Sequence, residues 1–397
     1  MSKIIRYTIS ILLLIAIQGC SQNKITAVVP EGIEYFVSTK GNDVNSGTRN
    51  KPLASLEEAR DRARELPANT PVNITVEEGT YYVPHGFVLT DEDSGSEGAP
   101  VVYEARAANT VSLKGSMPVT AKWELWRDGI YRCKLKGTSL EGKSFNQLFL
   151  NNDRMVRARY PNWDYENPLR SGKGYLPCAW GKLLSMGWKK GALDEKHKTW
   201  SHTEDAILHV FHKNNWGNMQ YRIANIDGSE RRIDFGTGGM QCQQRMGPGL
   251  KHGHGSPFYI ENIFEELDAP GEWFLDKDTA VLYFMPPTGL DPNKALVEAP
   301  VAKRLIELVG SKDKPVKHVT FRGFHVTQTQ ATFMDSYEDM CRGDWAVHRG
   351  GAIYAIGTED CAIEDCHVEQ VGGNGIFVDG YNRRFLTSGC LVENTGE

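Results

Sequence analysis

Apolar and polar residues alternate in short runs through the last quarter of the chain. HVTFRGFHV (318–326), CAIEDCHV (361–368) and NGIFVDG (374–380) each read as strands of period two, closed by Gly, Asn or Asp. The runs recur. Cys366 falls on Cys390, Val368 on Val392, Glu369 on Glu393, Gln370 on Asn394 and Gly372 on Gly396, all 24 residues apart. FHVTQTQ sets Phe324, Val326 and Gln328 42 residues ahead of Cys366, Val368 and Gln370, which is one period plus an 18-residue insertion. GAIYAIG (351–357) matches GIFVDG (375–380) at an offset of 23 residues.

A unit this short cannot bury its apolar face alone, so copies must stack. Leucine-rich repeats share the period, but their L-x-x-L-x-L signature and helical half are missing. The pattern therefore predicts an all-β chain built as a parallel β-helix. Phe324, Cys366 and Cys390 should form one column, and Gln328, Gln370 and Asn394 another, with amide side chains bonding along the axis.

Upstream, SLEEARDRAREL predicts an amphipathic helix near 55–66 that caps the first coil. Ser55 and Glu58 have capping-box spacing, and Leu56, Ala59, Ala63 and Leu66 share a face. From about Trp123 to Ala299 the repeat vanishes, and eight of the nine tryptophans lie there. GEWFLDKDTAVLYFMPP (271–287) reads as a hairpin turning at Lys277-Asp278. The expected division is 1–19 signal peptide, 20–32 lipoprotein tether, 33–122 cap and first coils, 123–299 inserted β-rich subdomain, and 300–397 resumed coils.

The N-terminus alters the expected location. Lys3 and Arg6, an apolar run from Ile11 to Ile17 and then Gly19-Cys20 describe an export signal too short to span a membrane as a helix. Cys20 directly after Gly19 suggests lipidation, and Ser21 favours the outer membrane or cell surface over the inner membrane. Ordinary cleavage to a periplasmic or secreted form is the alternative. Without residues 1–19 the chain has 43 basic and 50 acidic residues, net −7, which argues against nucleic acid and anionic membrane surfaces as partners. Seven cysteines follow Cys20 with no C-x-x-C pair, so no zinc framework is readable and no cofactor is expected. Cys366 and Cys390 read as small buried thiols in the stack.

YFVSTKGNDVNSGTRNKPLASLEEAR, ITVEEGTYYV, LFLNNDRMVRARYPN, GEWFLDKDTAVLYFMPP and VTFRGFHV resemble segments of the large bacterial β-helix proteins of polysaccharide use. The resemblance is to the β-helix glycoside hydrolases with α-L-fucosidase, xylanase and β-xylosidase activities, and covers nearly all of 33–397. It implies a right-handed, pectin-lyase-like β-helix acting on a polysaccharide or oligosaccharide. It also implies further coils, so that this chain, ending at Glu397 without a visible cap, is expected to be a fragment lacking C-terminal coils and inactive alone.

Glycoside hydrolysis needs two carboxyl groups about 5–5.5 Å apart for retention or about 6.5–9.5 Å for inversion. Neighbouring strands are about 4.8 Å apart, so carboxylates on adjacent coils suit the former. Asp379 takes the place of Ile356 in the 23-residue alignment and is the candidate catalytic carboxylate. It could instead cap the turn DGYN. Its partner, one coil on, would fall beyond residue 397. The insertion FMDSYEDMCRGDWAVHRG (333–350) supplies candidate substrate-binding residues Asp344, Trp345, His348 and Arg349, or is a plain solvated loop. His367 aligns with His325 and Leu391, and reads as packing or surface. His252 and His254 lack a readable third ligand, so no metal site is expected.

Three functions remain open. Glycoside hydrolysis leads. A polysaccharide lyase would use Ca²⁺-assisted β-elimination, the one case in which a metal ion enters, with an Arg opposite Asp379 as its mark. A non-catalytic carbohydrate-binding or adhesive solenoid is the third.

Overall fold

The computed structural model describes residues 32–168, 172–201, 203–211, 217–239, 254–338 and 347–396. The regular elements among them are β-strands apart from one α-helix, Leu56–Arg64, and short 3-10 turns. No helix among the described residues is long and apolar enough to cross a membrane.

The repeat offsets are realised as strand register. His325 pairs with His367 and Val326 with Val368, and these pair in turn with Leu391 and Val392, all in parallel. Ile353 pairs with Ile376 and Ile356 with Asp379, the 23-residue offset. Phe324 and Cys366 are buried one residue before these strands, and Cys390 packs against the same cluster. The thiols are free. The amide column differs from expectation. Gln328, Gln370 and Asn394 each take positive φ (58°, 50° and 48°), ending their strands in the left-handed region, which asparagine tolerates and glutamine rarely adopts. No hydrogen bond joins them among the described residues. Gln328 instead accepts from Ser116 and donates to Glu298.

Three sheets are parallel. One runs Ile33–Val37, Val72–Val76, Val101–Ala105, Val319–Arg322, Ala362–Glu364, Leu386–Ser388. A second holds Gly79–Tyr82, Val111–Lys114, His325–Thr327, His367–Glu369 and Leu391–Glu393. The third centres on Phe87–Leu89, Ile306–Val309, Ile353–Glu359 and Ile376–Arg383. Their inward residues meet in one core, with Phe87, Tyr103 and Phe321 at its centre. Tyr103 and Phe321 are register partners stacked at 4.8 Å.

The expectation of a right-handed, pectin-lyase-like parallel β-helix interrupted by one inserted β-rich subdomain is overturned by the rest of the topology. Three further sheets, of four, five and seven strands, are antiparallel or mixed and separate from the parallel ones. Their pairings are hairpins such as Glu272–Asp276 with Val281–Phe284, and distant joins such as Phe149–Leu150 with Val297–Pro300. The chain is all-β, composed of separate sheets of mixed topology. The physical reason is that strands between Ser116 and Pro300 carry no repeat, so nothing directs them onto the parallel stack, and they close their backbone hydrogen bonds locally or with each other.

The helix stands where the sequence placed it, with Leu56 and Ala59 buried on the parallel core and Ala63 and Leu66 packed beside them. Its N-cap is half a capping box. Ser55 Oγ accepts from the Glu58 N–H at 3.1 Å, but the Ser55 N–H donates to Asp43 and Glu58 is drawn to Arg62.

Two buried joints connect the halves. Lys114 Nζ lies 2.7 Å from Glu298 Oε2 with both side chains at most 5% exposed, and Tyr82 donates to the other Glu298 oxygen at 2.8 Å. At the second, Asn146 bonds both backbone groups of Ala331, and Phe333 packs against the His209 ring. The segment 329–335 is thereby held between the parallel core and the antiparallel sheets.

Candidate active site

That segment forms one wall of a cleft. The cleft, of about 380 Å³, is lined among others by Lys303, Arg304, Glu307, Asp335, His348 and Asn374. A hollow of about 480 Å³ shares Thr332, His348, Gly373 and Asn374 with it and continues past Tyr337 and Phe377. Together they make a polar groove at the corner where the second parallel sheet hands over to the third.

Backbone proximity sets the groove's shape. Gly372 packs so closely on the Gln330 carbonyl that a Cβ would stand 2.2 Å from it. The Gly372 carbonyl then accepts from the Thr332 N–H at 2.8 Å. At Gly372 only glycine fits this approach of two backbones, whereas Gly396, its counterpart in the repeat, has open space around it and a φ of 84° that glycine adopts freely. Asn374 Nδ2 donates to the carbonyls of His348 at 3.0 Å and Gly350 at 2.8 Å, tying the 347–350 segment down.

Asp335 is the most tightly held acid in the groove. Lys303 Nζ lies 2.6 Å from both its oxygens, and His348 Nε2 lies 3.4 Å away. Burial works to raise its pKa, but hydrogen bonds from His348 and Lys303 outweigh this and leave it below the usual range. Arg304 spans Glu307 at 3.0 Å and the Arg349 carbonyl at 3.3 Å, with its guanidinium 3.8 Å over the Tyr354 ring.

Asp379 flanks this groove without lining either hollow. It faces outward, in register with Ile356, whose own partner is Val309, so the apolar column it interrupts lies on the outer face and not in the core. Its carboxylate accepts from Arg349 Nη1 at 2.5 Å and from Tyr354 Oη at 3.1 Å. Burial, then the hydrogen bond to Asp379, push the Tyr354 phenol up. The turn-capping alternative fails, because Ile376–Arg383 is one strand. A bulge opens just after Asp379, where Gly357 alone faces Gly380 and Tyr381. Bulges re-aim side chains in this way at many sites.

Of the residues singled out from sequence, His348, Arg349 and Asp379 thus come together. Arg349 links Asp379 to Glu338, 2.7 Å from its other terminal nitrogen. Asp344 and Trp345 lie outside the described residues, as do Cys20 and His252. Sequence reasoning missed Lys303, Arg304, Glu307 and Asp335. Asp335 and Glu338 lie within the 333–350 insertion, which was their one visible signal.

Residues 183–287 match the family model of the GH141 insertion domain, within the stretch where the repeat vanishes. In structure the chain is similar to a solved glycoside hydrolase, with 23% identity, TM-score 0.74 and 90% of this chain covered. The match covers 65% of that chain, so this chain spans a little under two thirds of its relative's length. A complex of XylC with xylose aligns at 16% identity over 87% of this chain and 41% of that one, with a TM-score of 0.39 that carries no argument. No curated protein matches. The insertion-domain match supports a glycoside hydrolase, and the likeness to the solved enzyme shows a shared fold.

Proposed function

We propose that this protein is an exported, polysaccharide-degrading glycoside hydrolase with Asp379 as one of its paired carboxylates. The observation that carries the reading is Asp379 itself, an outward carboxylate held by Arg349 and Tyr354 beside a groove lined with charged and amide side chains. The insertion-domain match supports the same class. Asp335, with its lowered pKa, stays ionised at neutral pH and suits a nucleophile or charge-stabilising carboxylate better than a general base. A general acid needs the opposite shift. His348 and Arg349, with Asp344 and Trp345 from the same insertion, are proposed to contact the glycan, and Cys20 to carry the lipid.

The lyase reading ranks second, because an arginine does stand opposite Asp379. Against it, the acids are already neutralised, Asp335 by Lys303 and Asp379 and Glu338 by Arg349. Among the described residues that arrangement offers no bare carboxylate set for Ca²⁺.

Incubation of the full-length protein, beside residues 1–397 that are expected to be inactive alone, with a panel of polysaccharides and aryl glycosides, reading reducing ends and ultraviolet absorbance together, separates the readings. Expected are new reducing ends without unsaturated products, abolished in Asp379→Asn. Unsaturated products would establish the lyase, and saturable glycan binding without turnover the non-catalytic solenoid. For the anchor, Cys20→Ala should leave the detergent phase that the unmodified sequence enters.

A further inference from the structure

A second cluster lies away from the groove, on the outer face of the sheet containing His325–Thr327, His367–Glu369 and Leu391–Glu393. His325 and His367 are register partners, their rings 5.1 Å apart and 26° from parallel. Glu369, two residues on and therefore on the same face, reaches between them. Its Oε1 is 2.9 Å from His325 Nε2 and its Oε2 3.9 Å from His367 Nε2. Glu393, the register partner of Glu369, approaches His367 Nε2 at 3.0 Å.

We propose that His325, His367 and Glu369 bind a divalent transition-metal ion of the zinc class, with Glu393 as fourth ligand.

Three observations carry this. Both imidazoles present the same nitrogen, Nε2, to one shared carboxylate, and the three ligand atoms lie within 4.8 Å of one another. In a tetrahedral site with metal–ligand bonds near 2.0–2.2 Å, ligand atoms stand roughly 3.3 Å apart. The observed 2.9, 3.0 and 3.9 Å separations bracket that value, and no two ligand atoms of the His325, His367 and Glu369 set stand further apart than 4.8 Å, so side-chain rotations can close the site. Secondly, Ser112 Oγ bonds His325 Nδ1 at 3.0 Å, which orients the ring with Nε2 outward, as partners behind metal-binding histidines do. Thirdly, the three side chains are about one-fifth exposed, sheltered yet reachable from solvent. Lys114, nearby on the sheet, is held by Glu298 and Asn152.

Two imidazoles with carboxylates favour Zn²⁺, Co²⁺ or Ni²⁺ over Ca²⁺ and Mg²⁺, which take oxygen ligands. An ion here would tie three consecutive strands together across their outer face. This site is independent of the hydrolase reading, since the groove's acids are held by Lys303, Arg304 and Arg349.

The test uses the full chain without a polyhistidine tag, stripped with chelator and titrated calorimetrically with ZnCl₂ and CaCl₂. Co²⁺ absorbance serves as a second readout. The expected result is saturable Zn²⁺ binding, weakened at least tenfold in His367→Ala and Glu369→Gln and unchanged in His254→Ala. Ca²⁺ should not compete. Near-ultraviolet circular dichroism checks that each variant is folded, and His367→Gln substitutes if the alanine variant is not. Absence of saturable Zn²⁺ or Co²⁺ binding, or equal affinity in the wild type and both site variants, overturns the proposal.

Discussion

Arg349 and Asp379, thirty residues apart in the chain, meet at 2.5 Å, and the same guanidinium reaches Glu338 at 2.7 Å. The arginine therefore fixes the direction of the candidate catalytic carboxylate from a segment outside its strand. Arg349→Ala leaves Asp379 only its bond from Tyr354. On the glycan that supports activity, kcat/KM should fall by about tenfold or more through lost positioning. Arg349 is half exposed, so the thermal midpoint should change little. Unchanged turnover would remove Arg349 from the site.

The Lys114–Glu298 pair is buried on both sides. Glu298→Ala strands the ammonium, and the expected cost is about 3–5 kcal/mol in urea unfolding. Replacing both partners, Lys114→Met with Glu298→Leu, should cost less than the single change, because no charge is left without a partner. Equal losses would mean that the hydrogen bonds from Tyr82 and Gln328, not the ion pair, dominate this joint.

Glu272 gives stability a pH dependence. Burial pushes its carboxyl from 4.5 up to about 8, against hydrogen bonds from the backbone of Asp268 and Ala269. The folded state thus holds the proton more tightly than the unfolded one. The sign follows: this contribution is complete below about pH 4.5 and is lost as pH rises toward 8. At about 1.4 kcal/mol per unit, the loss is of order 5 kcal/mol. Glu272→Gln, neutral throughout, should flatten the slope between those limits. An identical pH profile in wild type and variant would refute the assignment.

Tyr103 is fully buried, and its hydroxyl has no hydrogen-bond partner among the described residues. Tyr103→Phe keeps the ring stacked on Phe321 and removes the stranded donor. A gain of about 1 kcal/mol is expected. A loss in the urea midpoint would show that the hydroxyl is satisfied.

Part of the candidate site was legible in advance. His348 and Arg349 stood out because an insertion interrupts a regular repeat, and Asp379 because an acid replaced Ile356. Lys303 and Arg304 carried no such mark, since they lie before the next strand among ordinary surface charges. His325 and His367 were seen to align, but their meaning changed with Glu369. Alignment places side chains in columns, whereas this cluster forms diagonally, from one column to the next along a shared face.

By itself the sequence determined strand register in the repeated region, the helix at Leu56–Arg64 and the stacking of Phe324 on Cys366 on Cys390. Equal offsets bring like residues to like positions in neighbouring strands, and a cap with an apolar face is local information. The sequence marked a non-repeating β-rich stretch and its 271–287 hairpin, but tertiary structure alone decided how those strands assemble into several sheets of mixed topology. Pairings such as Phe149 with Glu298 join residues far apart in sequence, and no local pattern records which distant edge will accept a strand. It also decided that Asp379 faces outward to Arg349, because the partner that orients a charge arrives from another element of the fold.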